Sequence, residues 1–564
     1  MERKTGMNTY NLRKSLITAI AIIMPIIATA QSSAVKKAAE SVFTLTTFKA
    51  DGSILATSHG AFVEKSGIAI SDLTPFIGAK SAVVIDAKGN KKNVTRICGI
   101  NDIYNVAKFK VEGTTKFLKP AQQSTPTGGQ LWLIPYSNKQ PKPESAMVKS
   151  VEKFMDKYSY YITSNYATGN TEACPFVNSN GEAAGLMQTS ATSTEMHATD
   201  ANFILSLTTN ALSINDATFR KIGIPAMLPD EKNQAILTLM MAKQDGDSVK
   251  YAAAADDFLK QFPNLIDGYV AKAEMELNAG RIDEARKIME TALANVDNKD
   301  DAHYNYAKVI YTKETYINTP YEAWTLDKAL DETEKAYAIN KLPLYKELSA
   351  QILFAKKDYE KAYNTFMDLT KSNIKSGDLF YNAALCKEQL NADNSEILAL
   401  LDSAVNNVDT LNIREAAKSF LMRGDVYNRM GNYRQAVFDY TRYEVVAGER
   451  PTAAFYYVRE QAEVKAKLFK QALADIDNAI FVDPNEPSFR AEKASLQLRL
   501  NLNNEAMATA EECVKLYPDN SDAYLILGLA QVKTGKKTDG MANLRKAKEL
   551  GNEQAQPLID KYNK

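Results

Sequence analysis

Residues 417–450 read AKSFLMRGDVYNRMGNYRQAVFDYTRYEVVAGER. Apolar residues recur at helical spacing on either side of Gly431, which predicts two amphipathic helices joined by a tight turn. Gly424 and Ala436 are small enough to let the two helices approach closely, and Tyr427, Tyr433 and Tyr440 supply the bulk that fills the surrounding space. The pattern is not confined to this stretch. Small residues recur 34 positions apart at Ala273 and Ala307, Ala350 and Ala384, and Ala494 and Gly528. A second series follows about twelve residues later at Ala285, Ala362, Ala436, Ala472 and Ala506, and Pro484 and Pro518 are again 34 apart. A fixed period of this length marks an array of stacked units.

The period and the positions of Gly424, Tyr427, Gly431, Tyr433, Ala436 and Tyr440 resemble the tetratricopeptide repeat (TPR), a helix–turn–helix. On that frame, repeats fall at 266–299, 300–342, 343–376, 377–410, 417–450, 453–486, 487–520 and 521–554. A weaker unit lies at 232–265, giving eight or nine in all. The 300–342 unit carries about ten extra residues around Tyr316–Trp324. The resemblance implies a superhelix whose concave groove is lined by the first helix of each repeat. The groove positions are Tyr304, Tyr311, Gln351, Phe354, Tyr381, Asp425, Asn428, Tyr457 and Gln461. Such a mixture suits a peptide or protein segment, although a Tyr here also serves packing between repeats. No repeat has the Lys-then-Asn pair of TPR carboxylate clamps, so chaperone C-termini are disfavoured partners.

Ahead of the repeats, from about Ser41 to Leu207, the pattern is one of short strands and turns. SVFTLTTF, GAFVE, GIAIS, SAVVIDAKGN, NVTRICGI, AKFKVEG and QLWLIPYS read as strands, with Asp51-Gly52, Lys88-Gly89-Asn90 and Asn180-Gly181 as turns. The expectation is an all-β barrel or sandwich.

Four segments of this half resemble trypsin-like serine proteases of the HtrA type: GAFVEKSGIAISDLTPFIGAKSAVV (60–84), GINDIYNVAKFKV (99–111), GGQLWLIPY (128–136) and NTEACPFVNSNGEAAGLM (170–187). In the last, Pro175, Asn178, Gly181, Glu182 and Gly185 agree without gaps. The resemblance covers residues 38–210 and implies two six-stranded barrels with a cleft between them. The fold class expected is therefore multidomain, β then α: a trypsin-like double barrel followed by an all-α TPR solenoid. The domains are 38–210, a linker 211–231, the array 232–554 and a tail 555–564.

The family's chemistry needs a Ser nucleophile, a His base and an Asp that orients the His. Carried over, the His position falls on Thr74, the Asp position on Asn105 and the Ser position on Glu172. Thr74 has no ring nitrogen to take a proton. Asn105 has no charge to hold an imidazolium. Glu172 is a poor acyl acceptor and brings negative charge where an oxyanion forms. The glycines after the nucleophile are replaced by Ala173 and Cys174. These losses imply a pseudoprotease. The rival expectation is an active endopeptidase with an unconventional nucleophile at Thr171, Glu172 or Cys174. His59, His197 and His303 do not stand at the base position. The cleft otherwise serves as a relic that binds an extended segment.

Composition narrows the remaining classes. The 564 residues hold 68 Lys+Arg and 68 Asp+Glu, so there is no net basic charge to favour nucleic acid. Three His and four scattered Cys, with no CxxC, HExxH or GxxxxGK[ST] spacing, suggest neither metal nor cofactor. Arg3, Lys4, Arg13 and Lys14, the apolar run Leu16–Ile27 and Ala28-Thr29-Ala30 read as a signal peptide over residues 1–30, cleaved after Ala30. The expectation is an exported, periplasmic or extracellular protein with no integral span after cleavage, and an envelope assembly or secretion complex is one setting for it. Residues 31–225 then hold 20 basic and 15 acidic residues, and 226–564 hold 44 and 52. Cys98 and Cys174 share a domain, and spacing alone does not decide whether they pair. Cys386 and Cys513 fall in repeats too far apart to bridge.

Overall fold

A computed structural model describes residues 32–137, 142–166, 171–190, 193–408 and 410–563. The segment read as a signal peptide lies outside the described residues. The chain divides after Asp297 into two compact units.

The first unit opens with a short helix, α1 (Ser33–Ala38), whose first turn is capped by the Ser32 side chain. Six antiparallel strands follow: β1 (Val42–Phe48), β2 (Ile54–Phe62), β3 (Ile68–Asp72), β4 (Ser81–Asp86), β5 (Lys91–Asn101) and β6 (Val106–Val111). They close into a barrel in the order β1-β2-β3-β6-β5-β4. Six more build a second barrel: β7 (Gln130–Leu133), β8 (Glu144–Phe154), β9 (Tyr158–Tyr166), β10 (Pro175–Val177), β11 (Ala183–Gln188) and β12 (Glu195–Asp200). Its order, β10-β11-β12-β9-β8-β7, is the same cycle repeated. In each barrel the first and fourth strands make the closure, β1 on β4 and β7 on β10. This is the trypsin-like double-barrel fold. Full closure leaves no free sheet edge. Gly60 shows how tight the first barrel is: a Cβ there would run into the Ile70 carbonyl and the Phe43 ring.

Three apolar clusters hold these barrels. Phe43, Phe62, Phe76 and Phe109 fill the first, and Leu131, Tyr161, Phe176 and Met187 the second. A third cluster joins the two and includes Val35 and Ala38 of α1, Cys98, Trp132, Ile134 and Leu186. The 211–231 segment, expected as a linker, is packed rather than free. Phe219, Ile222 and Ile224 enter the first barrel's core, and Ile97 exchanges main-chain hydrogen bonds with Pro225 and Met227 (2.9 and 2.8 Å). Its apolar residues cover a barrel face that would otherwise meet water.

Two helical hairpins complete this unit: α3 (Lys232–Asp245) with α4 (Ser248–Gln261), and α5 (Ile266–Asn278) with α6 (Ile282–Asn295). (Helix α2, Ala201–Ser206, follows β12.) Arg96 on β5 grips Asp257 on α4 through two parallel hydrogen bonds of 2.6 and 3.0 Å.

The second unit holds seven more hairpins. They are α7 (Lys299–Tyr316) with α8 (Leu326–Ile339), α9 (Pro343–Ala355) with α10 (Tyr359–Leu369), α11 (Gly377–Gln389) with α12 (Asn394–Asn406), and α13 (Ala417–Arg429) with α14 (Tyr433–Ala447). After these come α15 (Ala453–Lys465) with α16 (Phe469–Val482), α17 (Pro487–Arg499) with α18 (Asn503–Leu516), and α19 (Ser521–Lys533) with α20 (Lys537–Glu549). The small residues of the period sit where helices meet. Ala350, Ala362, Ala384, Ala436, Ala472, Ala494 and Ala506 are all fully buried. The extra residues between α7 and α8 are anchored by Trp324, whose Nε1 donates to the Tyr306 hydroxyl at 3.1 Å inside the core. Residues 555–564, expected as a tail, contain α21 (Ala555–Tyr562), whose Ala555 and Ile559 cover Leu544 and Ala547 of the last hairpin. An array end needs such a cap because its last apolar face has no following repeat.

Candidate functional site

The three positions that the resemblance assigns to a triad lie on turns at the ends of strands. Thr74 opens the short 3-10 turn after β3, and Asn105 sits on the turn between β5 and β6. The structure brings these two together. Both the main-chain N–H and the hydroxyl of Thr74 donate to Asn105 Oδ1, at 2.9 and 2.8 Å. The Asn105 carbonyl in turn accepts from the Leu73 N–H at 3.1 Å. Asn105 has a φ of +47°, a left-handed conformation that Asn tolerates better than most residues. Thr74 and Asn105, the positions that the resemblance matches to the His and the Asp, thus form a neutral hydrogen-bonded pair.

Glu172 lies on the turn before β10 in the second barrel, half-buried, with Oε1 accepting from the Thr189 hydroxyl at 3.1 Å. Among the described residues it makes no hydrogen bond to Thr74 or Asn105. It faces two groups of the first barrel that sequence reading did not single out as a pair. Its main-chain carbonyl reaches the His59 ring, and its carboxylate is felt by Asp72. Asp72 is buried at the end of β3 and accepts from the hydroxyls of Ser58 (2.6 Å) and Ser71 (3.0 Å). Burial, opposed by these hydroxyls and reinforced by Glu172, pushes its carboxyl up to about 6. His59, beside the Tyr136 ring at 6.0 Å, is driven down by burial. The missed signal was the alternation on β2: Ser58 and His59 face opposite sides, and only the paired strand shows which side carries Asp72.

The turn keeps the shape of a glycine turn without the glycines. Ala173 takes a φ of +59°, and its N–H donates to the Met187 carbonyl at 3.0 Å. Cys174 is fully buried in the second barrel, where burial pushes its thiol up to about 12. Thr171 is 4% exposed. Cys98 is likewise buried, raised to about 12, and lies 3.3 Å from the Met227 sulfur. All four cysteines are free, so Cys98 and Cys174 do not pair. The reason is placement: one lies between the barrels and the other in the heart of the second.

The other two histidines are accounted for separately. His197 on β12 is buried beside Tyr160, with ring centroids 5.5 Å apart and, among the described residues, no hydrogen-bond partner on either nitrogen. His303 lies 2.5 Å from Glu332. Burial raises that carboxyl, but hydrogen bonds from His303, Lys328 and Lys335 outweigh it and hold Glu332 down to about 2. His303 therefore ties α7 to α8. Among the described residues no group of three or more His, Cys, Asp or Glu is placed to hold a metal ion.

The nine groove positions divide by what they touch. Tyr304 packs on Tyr345 of the next hairpin (5.1 Å) and Tyr457 on Phe489 of the next (5.4 Å), so these two join repeats. Phe354 meets Tyr359 within its own hairpin at 5.2 Å. Asp425 accepts from the Tyr440 hydroxyl at 2.8 Å, and Asn428 lies against the same hydroxyl. Gln461 donates to Glu460 at 2.7 Å. Tyr311, Gln351 and Tyr381 are half-buried, the last with the Lys418 ammonium 4.9 Å above its ring.

Comparison with known proteins bears on the helical part. Residues 488–520 match the family model described as Tetratricopeptide repeat. The chain carries tetratricopeptide repeats. A 139-residue stretch is 29% identical to Sperm-associated antigen 1 of Mus musculus and 28% identical to the same-named protein of Rattus norvegicus, covering 24% of this chain. The match spans 15% of each relative's length. The TPR match supports a protein-binding scaffold. Among the described residues no helix is long and apolar enough to cross a membrane.

Proposed function

We propose that this is a non-enzymatic, exported scaffold in which a catalytically degenerate trypsin-like domain is joined to a TPR array that binds a protein or peptide. The helical array carries this reading, because stacked hairpins leave a row of first-helix side chains open to a partner. Tyr311, Gln351 and Tyr381 are half-buried positions there, with the Lys418 ammonium of the following hairpin lying over the Tyr381 ring. The degenerate part of the reading is supported by chemistry. A Thr–Asn pair cannot take and hold the proton that acyl transfer releases. Thr171 and Cys174 are buried, and a thiol raised to about 12 is not a thiolate at neutral pH.

A photo-crosslinker at Gln351 or Tyr381 in intact cells, followed by identification of captured chains, tests the binding claim. One reproducible partner is expected, and its persistence after the array is blocked would move the binding to the cleft. Recovery of that partner from membrane fractions would place the scaffold in an envelope assembly. Purified protein is expected to ignore serine- and cysteine-reactive probes. Stoichiometric labelling at the 171–174 turn would instead establish the endopeptidase reading. Export is tested by N-terminal sequencing of the cell-fractionated protein, with Gln31 the expected first residue.

A further inference from the structure

A second concave surface lies on the barrels, built from residues the cleft does not use. It is an open groove of about 840 Å³ between α1, the β2–β3 and β4–β5 turns, the 114–119 segment and the β10–β11 turn. Six lysines line it: Lys37, Lys65, Lys88, Lys92, Lys116 and Lys119. None of the six is in an ion pair among the described residues. Among the described residues the ammonium group with a hydrogen bond is that of the half-buried Lys92, to the Glu112 carbonyl at 3.5 Å, and its charge also reaches Asp86.

Three acidic residues share the lining, and two of them are committed locally. Asp86 accepts from the Lys88 and Asn90 main chain, both at 2.9 Å, and from the Asn90 side chain at 3.0 Å. Glu182 accepts from Asn178 at 2.8 Å. With Glu40, they leave the groove three positive charges in excess. A concentration of ammonium groups inside a concavity focuses potential and attracts an anionic partner.

The floor indicates what kind of anion. Residues 114–119 form no regular secondary structure. Thr115 and Leu118 donate their N–H groups to Lys65 and Phe62, whereas those of Lys116 and Phe117 donate to nothing among the described residues. Phe117 is itself partly exposed, beside Ala34 and the buried Leu118. Unengaged amides, an apolar side chain and flanking ammonium groups together match an acidic polypeptide segment, which offers carboxylates to the lysines and carbonyls to the free N–H groups. A lipid surface asks for a flat or convex patch, and a peptide backbone, unlike a phosphate chain, offers carbonyls to the free amides.

We propose that this groove binds an acidic peptide segment of a partner protein, laid along residues 114–119 with its carboxylates on the six lysines. The inference goes beyond the scaffold reading and stands even if the helical array binds nothing. The test uses the full chain and a fluorescein-labelled peptide of alternating Glu and Val, read by fluorescence anisotropy. Binding that weakens with added salt is expected, with the Gln-for-Glu peptide bound at least about tenfold more weakly. The Lys65→Glu/Lys116→Glu double variant is expected to lose about tenfold or more in affinity while keeping its thermal melt, because both side chains are exposed. Unchanged affinity in that variant, or no binding by the parent protein, overturns the proposal. So does binding of oligothymidylate or anionic phosphatidylserine vesicles that equals the peptide's and depends on the same lysines.

Discussion

Two neighbouring repeats, 417–450 and 453–486, solve the same packing problem with different residues. Each carries on its first helix an arginine that grips an aspartate on its second. Arg423 holds Asp439 at 2.7 and 2.8 Å, and Arg459 holds Asp475 at 2.5 and 2.8 Å. Each arginine also reaches back to an acid of the preceding hairpin or segment, Asp402 and Glu444 respectively. Beyond that the two diverge. Gly424 and Tyr440 of the first correspond to Glu460 and Ile476 of the second, so a small-plus-large pair becomes two of middle size. Tyr427 becomes Glu463. Glu460 and Glu463 are buried, each with one carboxylate oxygen that lacks a hydrogen-bond partner among the described residues. Burial and the nearby Glu492 push Glu460 up to about 7, and burial with Asp475 pushes Glu463 up to about 8. Equal geometry thus conceals unequal charge: one repeat balances its arginine, and the other surrounds it with an excess of acid.

The largest test removes the arginine. Arg459→Met strands Asp475 among two more acids and is expected to cost about 3–5 kcal/mol in urea melts at pH 8. Arg423→Met should cost less there, and the gap should close near pH 5, where Glu460 and Glu463 both hold protons. An equal loss at both pH values would break the comparison.

The pH dependence itself comes next. Both glutamates have folded-state values raised above their ordinary 4.5. Their contribution is complete below that value and is lost as pH rises through 7 to 8. Each is expected to remove about 1.4 kcal/mol per pH unit while it stays protonated only in the folded state. The Glu460→Gln/Glu463→Gln variant should flatten that slope in melts taken between pH 5 and 9.

Gly424→Ala is expected to cost about 1–3 kcal/mol, because its new Cβ would lie 2.8 Å from the buried Tyr440 ring. The smallest effect belongs to the barrels. Ala173→Gly relieves a left-handed alanine and should raise stability by up to about 1 kcal/mol in the same assay.

The repeats were legible because their packing is written in residue size at a constant interval, and Gly424 or Ala436 can serve no other purpose at that spacing. The first barrel was nearly as plain, its strands being short and bounded by Asp51-Gly52 or Gly89-Asn90. The β8–β9 hairpin was not read from its own residues. Its turn is made by Met155 and Asp156, both at positive φ (+49° and +60°), so neither glycine nor an Asn-Gly pair announces it. Its strands also alternate weakly, since much of β8 is exposed. At the candidate site, the Thr74–Asn105 contact followed from the family frame. The Asp72 cluster did not, because Ser58 reaches it from another strand and no linear spacing encodes that.

The four cysteines have a use that follows from where they sit. Cys98 lies between the barrels, Cys174 inside the second, Cys386 in the fifth hairpin and Cys513 in the eighth, and all are buried free thiols. A thiol reagent can reach each one only when its own surroundings open. The chain therefore contains four native clocks, and their separate alkylation rates would time the opening of each part without adding a label anywhere.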